Sequence, residues 1–561
     1  MDDGTTQSLP SSDNQNKNNK NTHAAAKRTR IPCPLDPTHT IYKDMLARHL
    51  KICPKAKLQR EIQSQPFYRQ DVNTGGHGGD QSHTTHSSEQ REKKYHRPNL
   101  ETRAKALALR ILVVHQHVFG GPHPGNPQQL TLEDIEQACT QLPLKDCSDK
   151  QLQLGLAQAI DSYHIRSGGP KHLQQQASLL GHLQNLSSSK TNNNNNNSQP
   201  ILMLELGAGR GMLGLVAAGS FAAANRHVDL IMMERAGTRS KADTILRNHK
   251  SKLPNQCINV EQIQSWQRLQ CDLAHVHMPT VLELHKSQQQ EKNTAVVADK
   301  ETPTQANVDS KAATNDDVSS SSNNNKDRQP FIMAIAKHLC GAGTDLALKA
   351  LYPIRDQLQV CLMATCCHGV CTWEHYVGRD YLASVLLAEE KLQNDNTVTA
   401  KDADVPPLLE FGPEEFEMMR LWSSGTVKDD GTSSADNGNN TKQPANSIAE
   451  ADNGKRKRKG TEIEDETHCD SCTTDSQLEG KVTSVVDVVN SLQLSCGVQG
   501  LGRACQRLLD YGRKQYLEQV LFAEDPKAYV DLCYYVPSSV TPQNAVFMAS
   551  RQGYKVLADP L

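Results

Sequence analysis

Residues Ile201 to Gly214 read ILMLELGAGRGMLG. Ile201 to Glu205 is a run compatible with a buried strand, and Leu206 leads into a glycine-rich turn, Gly207-Ala208-Gly209-Arg210-Gly211. Met212, Leu215 and Val216 then recur at helical spacing. Strand, tight glycine turn and helix in that order build a corner that receives an anion or a ribose, because the helix start presents unpaired N–H groups there. Glycines let the turn take positive φ and let a ligand approach the backbone closely. The spacing G-x-G-x-G is not G-x-G-x-x-G, which argues against a dinucleotide.

Downstream, Val228 to Met233 reads as a second strand ending at Glu234, 23 residues past Gly211. An acid there is placed to accept hydrogen bonds from both hydroxyls of a ribose, the alternative being an acid at a helix start. Gln267 to Gln270 reads as a third strand, with Cys271-Asp272 at its end. Phe331 to Ala336 is a fourth, followed by Lys337-His338-Leu339-Cys340-Gly341 and then Thr344-Asp345-Leu346. Val360 to Ala364 is a fifth, running into Cys366, Cys367, His368 and Cys371. The expected helix Arg503 to Gln519 turns Leu508, Leu509 and Leu517 inward and Arg503, Arg507, Arg513 and Lys514 outward. Two strands, near Tyr529–Val536 and Ala545–Ser550, close the α/β run with an antiparallel finish. Fold class is therefore α/β, with the chemistry expected at the carboxyl ends of the strands.

Near the start, Cys33, His39, His49 and Cys53 have the spacing C-x5-H-x9-H-x3-C. Tyr42 to Leu50 reads as a short helix that brings His49 and Cys53 to one ion, with Cys33 and His39 closing a tetrahedron from the preceding loop. Two thiolates and two imidazoles suit Zn²⁺, and so small a module needs such a staple to fold. Between Lys17 and Arg60 eleven Lys/Arg face two acids, so Arg48 and Lys51 are candidate phosphate contacts.

The 561-residue chain has a net charge of −2, so any nucleic-acid contact comes from local patches such as this one. It contains no apolar run near membrane-spanning length and begins without a signal pattern. Its sixteen cysteines then read as thiols or metal ligands in a reducing compartment, nucleus or cytoplasm. Residues 1–30 read as disordered, 31–57 as the finger and 58–98 as a linker. Residues 99–186 read as helical, and 200–561 as the main domain, opened by low-complexity insertions near 287–328 and 424–480. The run Lys455–Lys459 is either a nuclear import signal or a solvated charge run.

Glu205 just before the first glycine is similar to motif I of S-adenosylmethionine-dependent methyltransferases, where such an acid lies near the amino-acid end of the cofactor. The finger looks like the CHHC type found in a minor-spliceosome protein and in a tRNA methyltransferase family. Further pieces resemble that family. They are Lys171-His172, Gly181-His182-Leu183, Glu205 to Met212, Glu234-Arg235, Lys337 to Gly341 and Thr344-Asp345-Leu346. Cys366-Cys367-His368, Tyr376-Val377-Gly378, Gly502-Arg503 and Tyr511-Gly512-Arg513 extend the set. The chain is thereby identified as similar to the eukaryotic tRNA 2′-O-methyltransferases that modify nucleotide 4 of the acceptor stem. Departures are the lack of cysteine before Cys33, hence no CCCH finger there, and Gly369 where a second histidine is expected.

The resemblance implies a class I, Rossmann-like methyltransferase domain behind the finger, with S-adenosylmethionine and Zn²⁺ as cofactors. Glu205, Gly207, Gly209, Gly211, Glu234 and Asp272 would hold the cofactor. The general base lies among Lys337, His338 and Asp345. Arg503 and Arg513 would join Arg48 and Lys51 on RNA, the tRNA acceptor stem being the partner, with no membrane and no obligate protein partner. Two other readings stay open: a methyltransferase for another RNA or a protein, and a non-enzymatic RNA-binding protein of the spliceosomal finger type. Cys366, Cys367, His368 and Cys371 read as a substrate-pocket wall, adjacent cysteines being poor joint ligands for one ion, with a second zinc site as the alternative.

Overall fold

The computed structural model describes residues 29–75, 98–120, 126–140, 156–157, 169–187, 199–237, 241–248, 258–298, 329–337, 339–387, 408, 410–424 and 483–554. His338, Lys455–Lys459, His468, Cys469 and Cys472 lie outside them, as do residues 1–28 and most of the expected linker and insertions. The chain divides into two compact units, Met1–Gln65 and Pro66–Leu561.

In the first unit a hairpin, β1 (Arg30–Cys33) and β2 (Asp36–Tyr42), precedes α1 (Leu46–Ile52) and α2 (Pro54–Gln63). The hairpin corrects the sequence expectation, which puts Cys33 and His39 on a loop and starts the helix at Tyr42. Pro32, Pro34 and Pro37 mask it, since proline removes ladder donors and argues against a strand. Helix α2 likewise occupies the start of the expected linker, with Pro54 at its first position, where a missing N–H costs nothing.

The second unit opens on residues 66–75, which also replace expected linker. Phe67 is buried, its carbonyl accepts from His277 N at 2.8 Å, and the Asn73 side-chain amide donates to Leu273 O (2.7 Å) and Val276 O (2.8 Å). Helices α3 (Leu100–Phe119), α4 (Leu132–Thr140) and α5 (Pro170–Ser187) follow, α3 capped by Asn99, whose side chain accepts from Thr102 N.

The core is a seven-stranded sheet in the order β5-β4-β3-β6-β7-β9-β8. Its strands are β3 (Ile201–Leu206), β4 (Val228–Glu234), β5 (Ile263–Gln270), β6 (Phe331–Lys337), β7 (Leu358–Ala364), β8 (Tyr529–Tyr534) and β9 (Ala545–Ser550). Strand β9 alone runs against the direction of the other six. Both faces are covered, so β3 is buried at every residue and reads as a near-continuous apolar run rather than an alternation. Order reverses between β3 and β6, which opens a crevice at their carboxyl ends.

Helices α6 (Met212–Ala223), α7 (Lys241–Arg247), α8 (Met278–Ala298), α9 (Gly343–Leu351), α10 (Arg379–Leu387), α11 (Pro413–Trp422), α12 (Val485–Leu492) and α13 (Gly497–Tyr516) complete the unit. Helix α8 runs to Ala298, so the insertion expected from 287 starts later. Among the described residues no helix is long and apolar enough to cross a membrane.

Helix α13 corrects the sequence reading most sharply. Arg503, Arg507 and Arg513 are buried, not outward. Arg503 Nε pairs with Glu136 at 2.6 Å, and Arg507 donates to Tyr534 Oη and Asn544 Oδ1, both at 2.7 Å. Arg513 binds both oxygens of Asp345. A cationic stripe reads as a solvent face by default. Here the countercharges come from α4 and α9, far away in sequence, so spacing gives no hint of them. Arg503 and Arg513 are thus unavailable as phosphate contacts; Lys514 stays half-buried and pairs with Glu518 at 2.6 Å.

Candidate active site and metal centre

The glycine turn leaves β3 with Gly207, Gly209 and Gly211 all at positive φ (64°, 48° and 73°). At Gly211 a Cβ would stand 2.7 Å from Met232 Sδ and 2.6 Å from Arg268 Nη2, so only glycine closes the turn onto the sheet. At Gly209 a Cβ would meet nothing within 4 Å. The turn is packed from beneath and open at Gly209, as a ligand cradle requires.

Arg268, which the sequence reading passes over, fastens the underside. Its Nη1 donates to Gly209 O at 3.0 Å, and its Nε reaches Asp243 at 2.9 and 3.1 Å. The only local hint is an arginine inside an otherwise uncharged strand.

Glu234 ends β4, and its Oε2 accepts from Gly209 N at 2.8 Å, while Oε1 accepts from Ala236 N at 2.9 Å. Strand and turn thus place this carboxylate against the cradle, each oxygen keeping a lone pair for a hydroxyl. Asp272 follows β5 and caps a short 3₁₀ turn through Ala274 N at 3.0 Å, with its second oxygen uninvolved in the cap.

Glu205 is 3% exposed, and its Oε2 is buried without a partner. Burial pushes its carboxyl up to about 8. An orphaned buried carboxyl oxygen beside an open glycine cradle fits a ligand that brings a cationic amine and a ribose. The predicted cofactor-binding residues therefore converge on one corner, except that Asp272 stands one strand further along.

Lys337 is the last residue of β6, opposite Ala364 of β7. Its ammonium takes no hydrogen bond or ion pair among the described residues, and burial lowers its pKa to about 8. The following turn closes over the cradle: Leu339 Cδ2 would lie 2.2 Å from a Cβ at Gly207. Lys337 thus stands at the switch point.

Asp345 is a correction. It is fully buried, its Oδ1 accepting from Arg513 Nε (3.1 Å) and Val377 N (3.3 Å) and its Oδ2 from Arg513 Nη2 (2.8 Å). Both oxygens are engaged by Arg513, so Asp345 anchors α13 and cannot orient a base.

Asp510, unread in the sequence, accepts from His368 Nε2 at 2.7 Å and Thr365 Oγ1 at 3.0 Å, with Arg513 Nη1 at 3.4 Å. Burial opposes its charge, but His368 and the two arginines hold its carboxyl below the usual range. This network ties the end of β7 to α13.

In the finger the four expected ligands converge. Cys33 Sγ lies 3.9 Å from Cys53 Sγ, His39 Nε2 lies 3.0 Å from His49 Nε2, and His49 Nε2 lies 3.3 Å from Cys33 Sγ. These spacings approach the edges of a zinc tetrahedron with bonds of about 2.3 Å to sulfur and about 2.0 Å to nitrogen. Both cysteines are buried. Cys53 caps α2, where N–H groups of Ala56 and Lys55 lower its thiol pKa. Behind His39, Asp36 Oδ2 stands 3.5 Å from Nδ1, the carboxylate support common to metal-bound histidines. Arg48 and Lys51 lie on α1, both exposed. Cys53→Ser is expected to remove one equivalent of zinc from the purified chain, read by elemental analysis; unchanged zinc would take the metal out of the finger.

The model of the family described as Methyltransferase TRM13 matches residues 174–300 and 317–550, and that of the U11-48K-like CHHC zinc finger matches residues 30–54. The tRNA:m(4)X modification enzyme TRM13 of Saccharomyces cerevisiae is 24% identical over 399 residues, 66% of each chain. Its homologs in Mus musculus and Homo sapiens are each 24% identical, over 552 and 550 residues, covering 90% of this chain and 84% of theirs. No solved structure matches.

Proposed function

Because the chain belongs to the TRM13 methyltransferase family, we propose that it methylates a ribose 2′-hydroxyl at nucleotide 4 of a tRNA acceptor stem, using S-adenosylmethionine. The observation that carries this reading is the meeting of three features at neighbouring strand ends: the open cradle at Gly209, the carboxylate of Glu234, and Lys337. The relatives named as tRNA modification enzymes supply the substrate class.

Bound there, S-adenosylmethionine supplies a methyl group already activated on a sulfonium. The chain therefore aligns and deprotonates rather than activates. Glu234 would hold the ribose hydroxyls, Glu205 would pair with the amino-acid end, and Asp272 would accept from the adenine. Lys337, neutral in part near pH 8, takes the proton of the attacking 2′-hydroxyl. The exposed cations of the zinc finger, Arg48 and Lys51, contact phosphates. An A-form stem presents its 2′-hydroxyls in a shallow groove, so no base need be flipped.

Gly209→Asp should weaken cofactor binding on the order of 100-fold, about 2.7 kcal/mol, and leave zinc content alone. The added carboxylate fills the open side and repels Glu234. Retained affinity in a calorimetric titration would displace the cofactor corner.

The function itself is tested with labelled S-adenosylmethionine and unmodified tRNA transcripts, the product being mapped by resistance to alkaline cleavage. Resistance at one acceptor-stem linkage is expected. Label in a base or in protein would refute the ribose assignment.

A further inference from the structure

Three cysteines from two strand ends meet beside Lys337. Cys340 lies in the turn after β6, and Cys366 and Cys367 follow β7. Cys340 Sγ is 3.5 Å from Cys366 Sγ and 3.2 Å from Cys367 Sγ, and all three sulfurs lie within 4.8 Å of one another. None of them is in a disulfide.

This grouping differs from the one the sequence suggests. His368 Nε2 is taken by Asp510, and Cys371 Sγ donates to His368 O at 2.9 Å, so both leave the set. Cys340, 26 residues upstream of Cys366, enters it. The chain leaves β7 and turns into a 3₁₀ segment, His368–Val370. The alternation of extended backbone is thereby broken, and two adjacent thiols reach the same third one.

We propose that Cys340, Cys366 and Cys367 form a second zinc site, separate from the finger, with no fourth protein ligand among the described residues. Zinc–sulfur bonds of about 2.3 Å in a tetrahedron set sulfurs about 3.8 Å apart, so Cys340 needs to separate by about 0.3 Å from Cys366 and about 0.6 Å from Cys367. An all-sulfur donor set selects a soft ion over magnesium or calcium, which want oxygen. Where a zinc site has three protein ligands, its fourth place goes to solvent or substrate. Such an ion ties the turn after β6 to the end of β7. The cysteines are then positioning residues for Lys337.

The test is zinc stoichiometry on the full-length, reduced chain after loading with Zn²⁺ and desalting. Wild type should hold two equivalents, Cys53→Ser one, and the double variant Cys340→Ser/Cys367→Ser one. With Co²⁺ in place of zinc, the sulfur-to-metal charge-transfer band should fall by three-fifths in the double variant, from five thiolates to two. One equivalent in wild type overturns the proposal, and this reading holds even where the double variant fails to fold. Two equivalents persisting in a folded double variant overturn it as well. So does one equivalent accompanied by a Cys340–Cys367 disulfide on thiol titration. The count is independent of methyl transfer, so it stands or falls apart from the function proposed above.

Discussion

Lys337→Ala is expected to lower turnover by about 10²- to 10⁴-fold, the range removed with a general base, equivalent to about 2.7–5.4 kcal/mol. Cofactor affinity should change little, because the cradle is built from β3 and β4 and from Arg268 beneath. The pH profile gives the sign. Burial disfavours the ammonium of Lys337 and brings its pKa down to about 8. Only the neutral amine accepts a proton, so wild-type turnover should rise about tenfold per pH unit below that value and level off above it. That rise should vanish in the variant. An unchanged rate, or an unchanged pH profile in a slowed variant, would exclude Lys337 as the base and turn attention to His338.

The sheet was legible because it is parallel and buried on both faces. Stretches such as FIMAIAK are continuous apolar runs bounded by polar segments, and the glycine turn marks which strand comes first. Ligand spacing likewise picked out the zinc finger, because four donors within 21 residues leave little freedom. What stayed hidden depends on contacts between distant residues. Arg513 meets Asp345 across 168 positions and Arg503 meets Glu136 across 367. The thiol trio draws on two turns brought together only by the parallel pairing of β6 and β7. Arg268 shows in the sequence only as a charge inside an uncharged strand; its role rests on Asp243 and the glycine turn beside it. The site's open side was therefore readable, while the buried polar frame that holds it was not.

That frame predicts the second large effect. Arg513 and Asp345 are both buried, joined through both carboxylate oxygens, and Asp510 shares the same arginine. Arg513→Met keeps the volume but leaves two carboxylates in a dry interior with less compensation. Breaking a buried pair from one side costs about 3–5 kcal/mol, so urea unfolding of the catalytic unit should shift by that amount. Asp345→Asn alone strands the arginine and should also destabilise. Together the two substitutions should cost less than their sum, since neither full charge is then left unanswered. Asp510 adds a pH signature. Its carboxyl is held below the usual 3.8, so its contribution is present above that value and is lost as pH falls through the lower folded value. The same variants separate a structural from an RNA-contacting arginine. If Arg513 bound phosphate, its removal would flatten the salt dependence of tRNA binding by about one counterion, as expected for Lys51→Ala. A buried ion pair instead predicts lost stability with an unchanged salt slope in the folded fraction. A flattened slope with normal stability would return Arg513 to the RNA surface.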